Sequence, residues 1–235
     1  MGRVLLSGGC LGMKAPEICK ANFADNEWSA IIAACKSGSV PVSWTVGSYK
    51  NMTINGKEYR IDIIGKDHDD YAAGNGKAPL TFQLHDCYNT MYTMYDPNVM
   101  VGSWQSTTMR NTHLPAILAL LPAEVKAAIR EVQKKTSAGR QISNIQTTND
   151  KLFLLSEIEI FGGITYSFAG EGKQYDYYKV GNSKVKNLNG SAYDWWERSP
   201  FSPDSTAFCS VTIGGTPNGS YAARDQRGVA FGFCF

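Results

Sequence analysis

Apolar residues recur at helical spacing at Trp28, Ile31, Ile32 and Cys35, which predicts a helix with one buried face. Asp25, a residue type that caps helix N-termini, sets its expected start, and Gly38 its stop. The period then changes. Tyr59, Ile61 and Ile63 alternate with Glu58, Arg60 and Asp62, the pattern of a half-buried strand, and Asn55-Gly56 before it signals a tight hairpin turn. Residues 79–84 read as a second apolar strand, and 106–120 as a helix broken at Pro115. Pro122 opens a further helix with Val125, Ala128, Ile129 and Val132 on one face. Lys134-Lys135 are expected to close it, where cations suit the helix dipole. Residues 151–155 form a short buried strand, and Ser156 and Glu159 stand at capping-box spacing. A loop-rich, aromatic stretch leads to two closing strands, 207–213 and 228–235. In the first, Cys209 and Val211 are expected on a dry face, Ser210 and Thr212 on a wet one.

This order predicts an α+β fold of mostly short antiparallel strands, with two or three helices and a loop-rich C-terminal half. One domain is expected from residue 25 to 235. Residues 1–24 lack periodicity and read as an arm, whose apolar Val4, Leu5, Leu6, Leu11 and Met13 suit docking onto a larger assembly or a neighbouring subunit. Twelve tyrosines, five tryptophans and 23 glycines agree with strands, tight turns and aromatic packing. A net charge of +2 argues against a nucleic-acid or membrane-surface partner. No stretch is long and apolar enough to insert in a membrane, and Val4-Leu5-Leu6 is too short for a signal peptide's core. The six cysteines are therefore expected as mostly buried thiols, with a Cys209–Cys234 bridge left open.

Few residues suggest chemistry. His68, His85 and His113 lie in different segments with no nucleophile motif nearby. Asp67-His68-Asp69-Asp70 lacks the glycine and the distant glutamate of a calcium loop, so turn-capping aspartates are expected, with no metal and no cofactor. Glu157 and Glu159 read as solvated or capping residues, and Trp195-Trp196 as scaffold core.

Residues 28–32, 64–70, 103–110 and 151–157 resemble a family of bacterial and phage domains. So does the ending: Trp195-Trp196-Glu197-Arg198-Ser199-Pro200, a variable stretch, then Gly228-Val229-Ala230-Phe231-Gly232-Phe233. The ending is similar to the C-type-lectin fold shared by formylglycine-generating-enzyme relatives and by the variable proteins of diversity-generating retroelements. That resemblance implies a non-catalytic, hypervariable receptor-binding protein, on a phage virion or a bacterial surface, that recognises a bacterial cell-surface protein or glycan. The arm would then reach other virion proteins, and a homo-oligomer is open. The alternatives are a formylglycine-generating-enzyme-like oxidase using Cys209 and Cys234, and a structural virion decoration protein. The sugar-and-calcium triplets Glu-Pro-Asn and Gln-Pro-Asp are absent.

The residues between the two halves of the ending carry the same suggestion. Residues 202–227 are dominated by Ser, Thr, Gly, Ala, Asp, Arg and Tyr, an adaptable hydrogen-bonding set with an aromatic anchor. They contain no Lys, Glu, Met or Trp, residues that an Asn codon randomised at its adenines cannot encode; Gln226 departs from that alphabet. The expected binding residues are those pointing outward: Ser202, Pro203, Asp204, Ala207, Ser210, Thr212, Ile213, Pro217, Gly219, Ser220, Tyr221, Arg224, Gln226 and Arg227. Tyr221 and Arg224 stand first among them, since both types are enriched at binding hot spots. Phe208, Cys209, Val211, Val229, Phe231 and Phe233 are expected as scaffold.

Overall fold

In the computed structural model, which describes residues 19–95 and 103–235, the Asn55-Gly56 turn acts as its residue types allow. Both residues take positive φ, 48° and 77°, so Tyr49–Ile54 (β1) folds back antiparallel onto Lys57–Lys66 (β2). β2 pairs in turn with Leu80–Leu84 (β3). Val132–Gly139 (β4) and Ile142–Asp150 (β5) make a hairpin, followed by the short Leu152–Phe153 (β6). Lys186–Leu188 (β7) and Ser191–Tyr193 (β8) make another. Trp195–Pro200 (β9), Ala207–Val211 (β10) and Pro217–Ala222 (β11) form a three-stranded sheet in the order β11-β10-β9. The last strand, Gly232–Cys234 (β12), lies inside the main sheet, β1-β2-β3-β12-β6. Its Phe233 stacks on Phe82 of β3 at 5.2 Å, so the chain's end closes its own core. The fold is α+β, with mostly short antiparallel strands and few, short helices.

Trp28–Ser37 (α1) buries Trp28, Ile31, Ile32 and Cys35, and Gly38 ends it at φ 67°. Its start is later than expected. Asp25 belongs to a 3-10 turn, Phe23–Asp25, and Glu27 stands at the cap position. Residues 19–24 are therefore not part of an arm. The Asn26 side chain accepts from Lys20 N (2.7 Å) and donates to the carbonyls of Lys20, Asn22 and Phe23. Phe23 packs against Trp44 and Phe82. The rest of the expected arm, residues 1–18, lies outside the described residues.

The helix expected over 106–120 is three pieces: a 3-10 turn Trp104–Ser106, a π-helical turn Met109–His113, and Leu114–Leu120 (α2). Pro115 falls in the first turn of α2, where its missing N–H is harmless. Ala123–Ala128 (α3) stops short of Val132, because Arg130 N–H bonds to Cys234 O (3.0 Å) and Val132 opens β4. Lys134 and Lys135 thus close no helix. They lie in β4, where alternation turns Lys134 into the core and Lys135 outward. Glu157–Phe161 (α4) starts with the predicted capping box on Ser156 and Glu159, and Asp176–Lys179 (α5) follows.

Candidate recognition surface

The segment 202–227 leaves and rejoins the fold at adjacent points. At its departure, all six residues of β9 are buried. At its return, Trp196 N–H bonds to Gly228 O and Gly228 N–H to Asp194 O, both at 2.9 Å. Arg227 and Tyr92 exchange backbone bonds at 3.2 and 3.1 Å, and Trp196 Nε1 donates to Tyr92 O at 2.8 Å. Gly228 is required by the closeness of this seam: a Cβ there would sit 2.5 Å from Cys87 Sγ. Trp195 and Trp196 are wholly buried, as expected of scaffold, and so are Phe208, Cys209, Val211, Val229, Phe231 and Phe233.

Beneath the seam lies a buried ionic network that ties β9 to the other elements. Arg198 donates to Glu159 Oε1 (2.9 Å) and to the carbonyls of Leu154, Lys135 and Glu171. Lys134 bridges Asp69 (2.7 Å) and Glu159 (3.0 Å), and Tyr175 and Thr81 complete the shell of Asp69. Burial pushes both carboxyls up, but Lys134 outweighs it at Asp69, holding it at about 2. Arg198 with Lys134 likewise keeps Glu159 below the ordinary carboxylate range. Two buried cations thus face two buried anions. Glu157 and Glu159 are not solvated, as expected of one reading; both are buried. Glu157 accepts from the backbone N–H groups of Thr165 (2.9 Å), Tyr166 (3.0 Å) and Ser167 (2.8 Å). That fixes the loop whose Tyr166 O receives Ser202 N–H (2.8 Å), so a buried carboxylate sets the first residue of the candidate surface.

The fourteen expected binding residues divide into three groups. Ala207, Ser210 and Gly219 do not point outward. Ala207 and Ser210 lie in β10, the middle strand of its sheet, where both faces are covered. Gly219 faces Phe201, whose ring would lie 2.3 Å from a Cβ. The wet face expected for Ser210 is absent for the same reason. Ser202, Thr212, Pro217, Tyr221 and Arg227 are half-buried. Pro203, Asp204, Ile213, Ser220, Arg224 and Gln226 are exposed, Ile213 by 60%. Several polar side chains are occupied locally: Asp204 accepts from Thr206, Thr212 pairs with Thr216, and Ser220 donates to Asn218. Tyr221 is held hardest. Its hydroxyl donates to Asp194, the Arg227 guanidinium lies 3.7 Å over its ring, and Trp196 meets it edge-on. The Asp194 bond, with burial, raises the Tyr221 hydroxyl above its usual value. Asp194, absent from the expected set, also accepts Ile213 N–H at 2.7 Å and so ties the turn of the β10–β11 hairpin to Tyr221 of β11.

The remaining chemistry-bearing groups are dispersed. Cys209 and Cys234 are free thiols in separate sheets, one against Pro200 O and the other against Asp69 and Thr81. Burial pushes both well above the ordinary thiol value, and the bridge left open is not formed. His68 stacks on Tyr175 at 4.0 Å. His85 lies with Nδ1 2.6 Å from Asp62 Oδ2, whose other oxygen holds Arg60 Nε at 2.7 Å. Burial raises Asp62, but His85 and Arg60 outweigh it and hold its carboxyl below the ordinary carboxylate value, and Asp62 orients the imidazole. The Asp67–Asp70 turn contributes Asp69 to the buried network, Asp70 to a surface pair with Lys77 at 2.8 Å, and Asp67 at a positive φ of 48°.

Among the described residues, no helix is long and apolar enough to cross a membrane. No curated protein and no solved structure matches this chain. One family model does, over residues 84–234, from the end of β3 through β12, a span that contains residues 202–227, strands β9 to β12 and, of the buried network, Lys134, Glu159, Tyr175 and Arg198 but not Asp69 or Thr81. The chain belongs to the family described as Domain of unknown function (DUF6273).

Proposed function

We propose that this chain is a non-catalytic ligand-binding protein that recognises a bacterial surface protein or glycan through residues 202–227, on a C-type-lectin-like scaffold. It would be the variable protein of a diversity-generating retroelement, carried on a phage virion or a bacterial surface. The observation that carries this reading is the seam. The segment departs from a fully buried strand and returns by backbone bonds to the same strand, with exposed side chains between. Such an arrangement lets exposed side chains such as Ile213, Ser220, Arg224 and Gln226 change while the backbone bonds of the seam stay the same. The oxidase alternative needs a cysteine pair, and Cys209 and Cys234 are apart, buried and protonated.

The test replaces Ile213, Ser220, Arg224 and Gln226 together with Ala, then measures binding of labelled protein to a panel of bacterial cells alongside thermal melting. Loss of cell binding with unchanged melting supports the reading. Unchanged binding moves the recognition surface elsewhere on the molecule. Sequencing the coding region and its neighbours tests the retroelement: a reverse transcriptase gene and a near-copy of the 202–227 coding segment are expected, and a segment identical across sister genomes would refute it.

A further inference from the structure

β5 is a nine-residue strand whose far edge pairs with no other strand among the described residues. Residues 142–149 contain no Asp, Glu, Lys, Arg or Pro, the residues with which proteins usually blunt an exposed strand edge. The register shows which backbone groups face away. Arg110 Nη2 reaches Asn149 O (3.1 Å) from outside the hairpin, which puts Asn149 on the free side. Alternation puts Thr147 and Ile145 there as well. Their partners on β4 agree, for Lys135 and Ser137 also turn away from β5: Lys135 O receives Arg198, and Ser137 exchanges bonds with Ser103 and Glu171. Among the described residues, the N–H and C=O groups of Ile145 and Thr147 have no hydrogen-bond partner. Both residues are exposed, and Ile142 adds apolar surface beside them.

We infer that two copies of this chain pair through β5. The strands run antiparallel about a two-fold axis at Gln146, so that Ile145 of one copy faces the partner's Thr147 and the reverse. This register satisfies all the free groups of Ile145 and Thr147 at once, by four reciprocal N–H···O bonds, and extends β4-β5 into a four-stranded sheet. The self-pairing is also favoured by what the strand lacks: across the two-fold axis residues 143–149 meet only one another, all of them uncharged, so no charge opposes its like. The hairpin's turn is linked to the candidate surface, since Gln141 Nε2 donates to Pro203 O at 2.7 Å.

The experiment is sedimentation velocity on the full chain across the micromolar range. The mass of the wild type should move from one chain toward two as concentration rises. Ile145→Lys and Thr147→Glu, each alone, should weaken association at least tenfold while leaving the melting curve in place, because both positions are exposed. An equimolar mixture of the two variants should recover association, since the register sets the introduced lysine against the introduced glutamate. Thr147→Pro removes only an outward N–H and should abolish association without unfolding the chain. A wild type that stays monomeric throughout overturns the inference, as does association unaffected by the single variants. Failure of the mixture to recover would overturn the proposed register.

Discussion

Glu197 is the residue whose replacement the structure constrains most sharply. It sits in β9, wholly buried, and among the described residues neither carboxyl oxygen has a hydrogen-bond partner. Burial pushes its acid well above the ordinary 4.5; Glu157 and Glu171 push the same way, and Arg198 opposes them weakly. A folded-state value above the unfolded one means that folding favours the protonated form. That contribution is complete below about pH 4.5 and is lost as pH rises toward the folded value, at about 1.4 kcal/mol per pH unit. Glu197→Gln keeps the shape and removes the titration. The variant should match the wild type near pH 5 and gain on it as pH rises toward the folded value, by at most about 1.4 kcal/mol per pH unit. For a chain of this length each kcal/mol is about 2–4 °C in Tm. Glu171, which burial also raises, titrates in both proteins and largely cancels in the difference. Melting followed by circular dichroism at pH 5, 6 and 7 measures the gap. Parallel curves, or a gap that opens toward acid, would refute the reasoning.

Arg198→Met leaves Glu159 with Lys134 as its one remaining cation and strips donors from the carbonyls of Leu154, Lys135 and Glu171. It should cost about 3–5 kcal/mol in urea denaturation, and a loss below about 1 kcal/mol would show that the network does not anchor β9. Gly228→Ala drives a methyl into Cys87 Sγ and should cost about 1–3 kcal/mol. Adding Cys87→Ala to that variant should return part of the loss, and no return would place the strain in the backbone rather than at the thiol.

The elements that could be read from the chain are those whose signal is local. Asn55-Gly56 needs only its own backbone freedom to make a turn, Ser156 and Glu159 only each other, and Gly38 only its left-handed φ. The β4–β5 hairpin has no such signal. Its turn is Arg140-Gln141, residue types that seldom take the positive φ values of 54° and 61° seen here, and β5 is too exposed to alternate. Val132 continues the spacing of Val125, Ala128 and Ile129 by chance, so the start of a strand carries the pattern of a helix end. Lys134, Glu159, Arg198 and Asp69 come from four separate segments. No spacing announces their meeting, so charges that look solvated in sequence form the buried network instead. For the candidate surface, small and polar composition marked the segment, but it could not tell the covered middle strand β10 from the exposed strand and turns beside it.

That blindness bears most on the two leading residues, Tyr221 and Arg224, which residue type alone ranks together. The structure separates them. Tyr221 is fixed by Asp194, by the Arg227 guanidinium and by the edge of Trp196, so it offers a ligand an edge already oriented. Arg224 is exposed, and its side chain makes no hydrogen bond among the described residues, so a ligand must order it on binding. Their truncations should therefore differ in kind. Arg224→Ala should change stability by no more than about 0.5 kcal/mol, so any loss of cell binding reports contact alone. Tyr221→Ala removes a ring stacked under one arginine and packed on a buried tryptophan, and should cost about 2–4 kcal/mol as well as binding. Melting and cell binding of the two variants, measured side by side, decide it. If Tyr221→Ala melts with the wild type, its contacts do not hold the hairpin, and Asp194 and Arg227 lose the role assigned to them here.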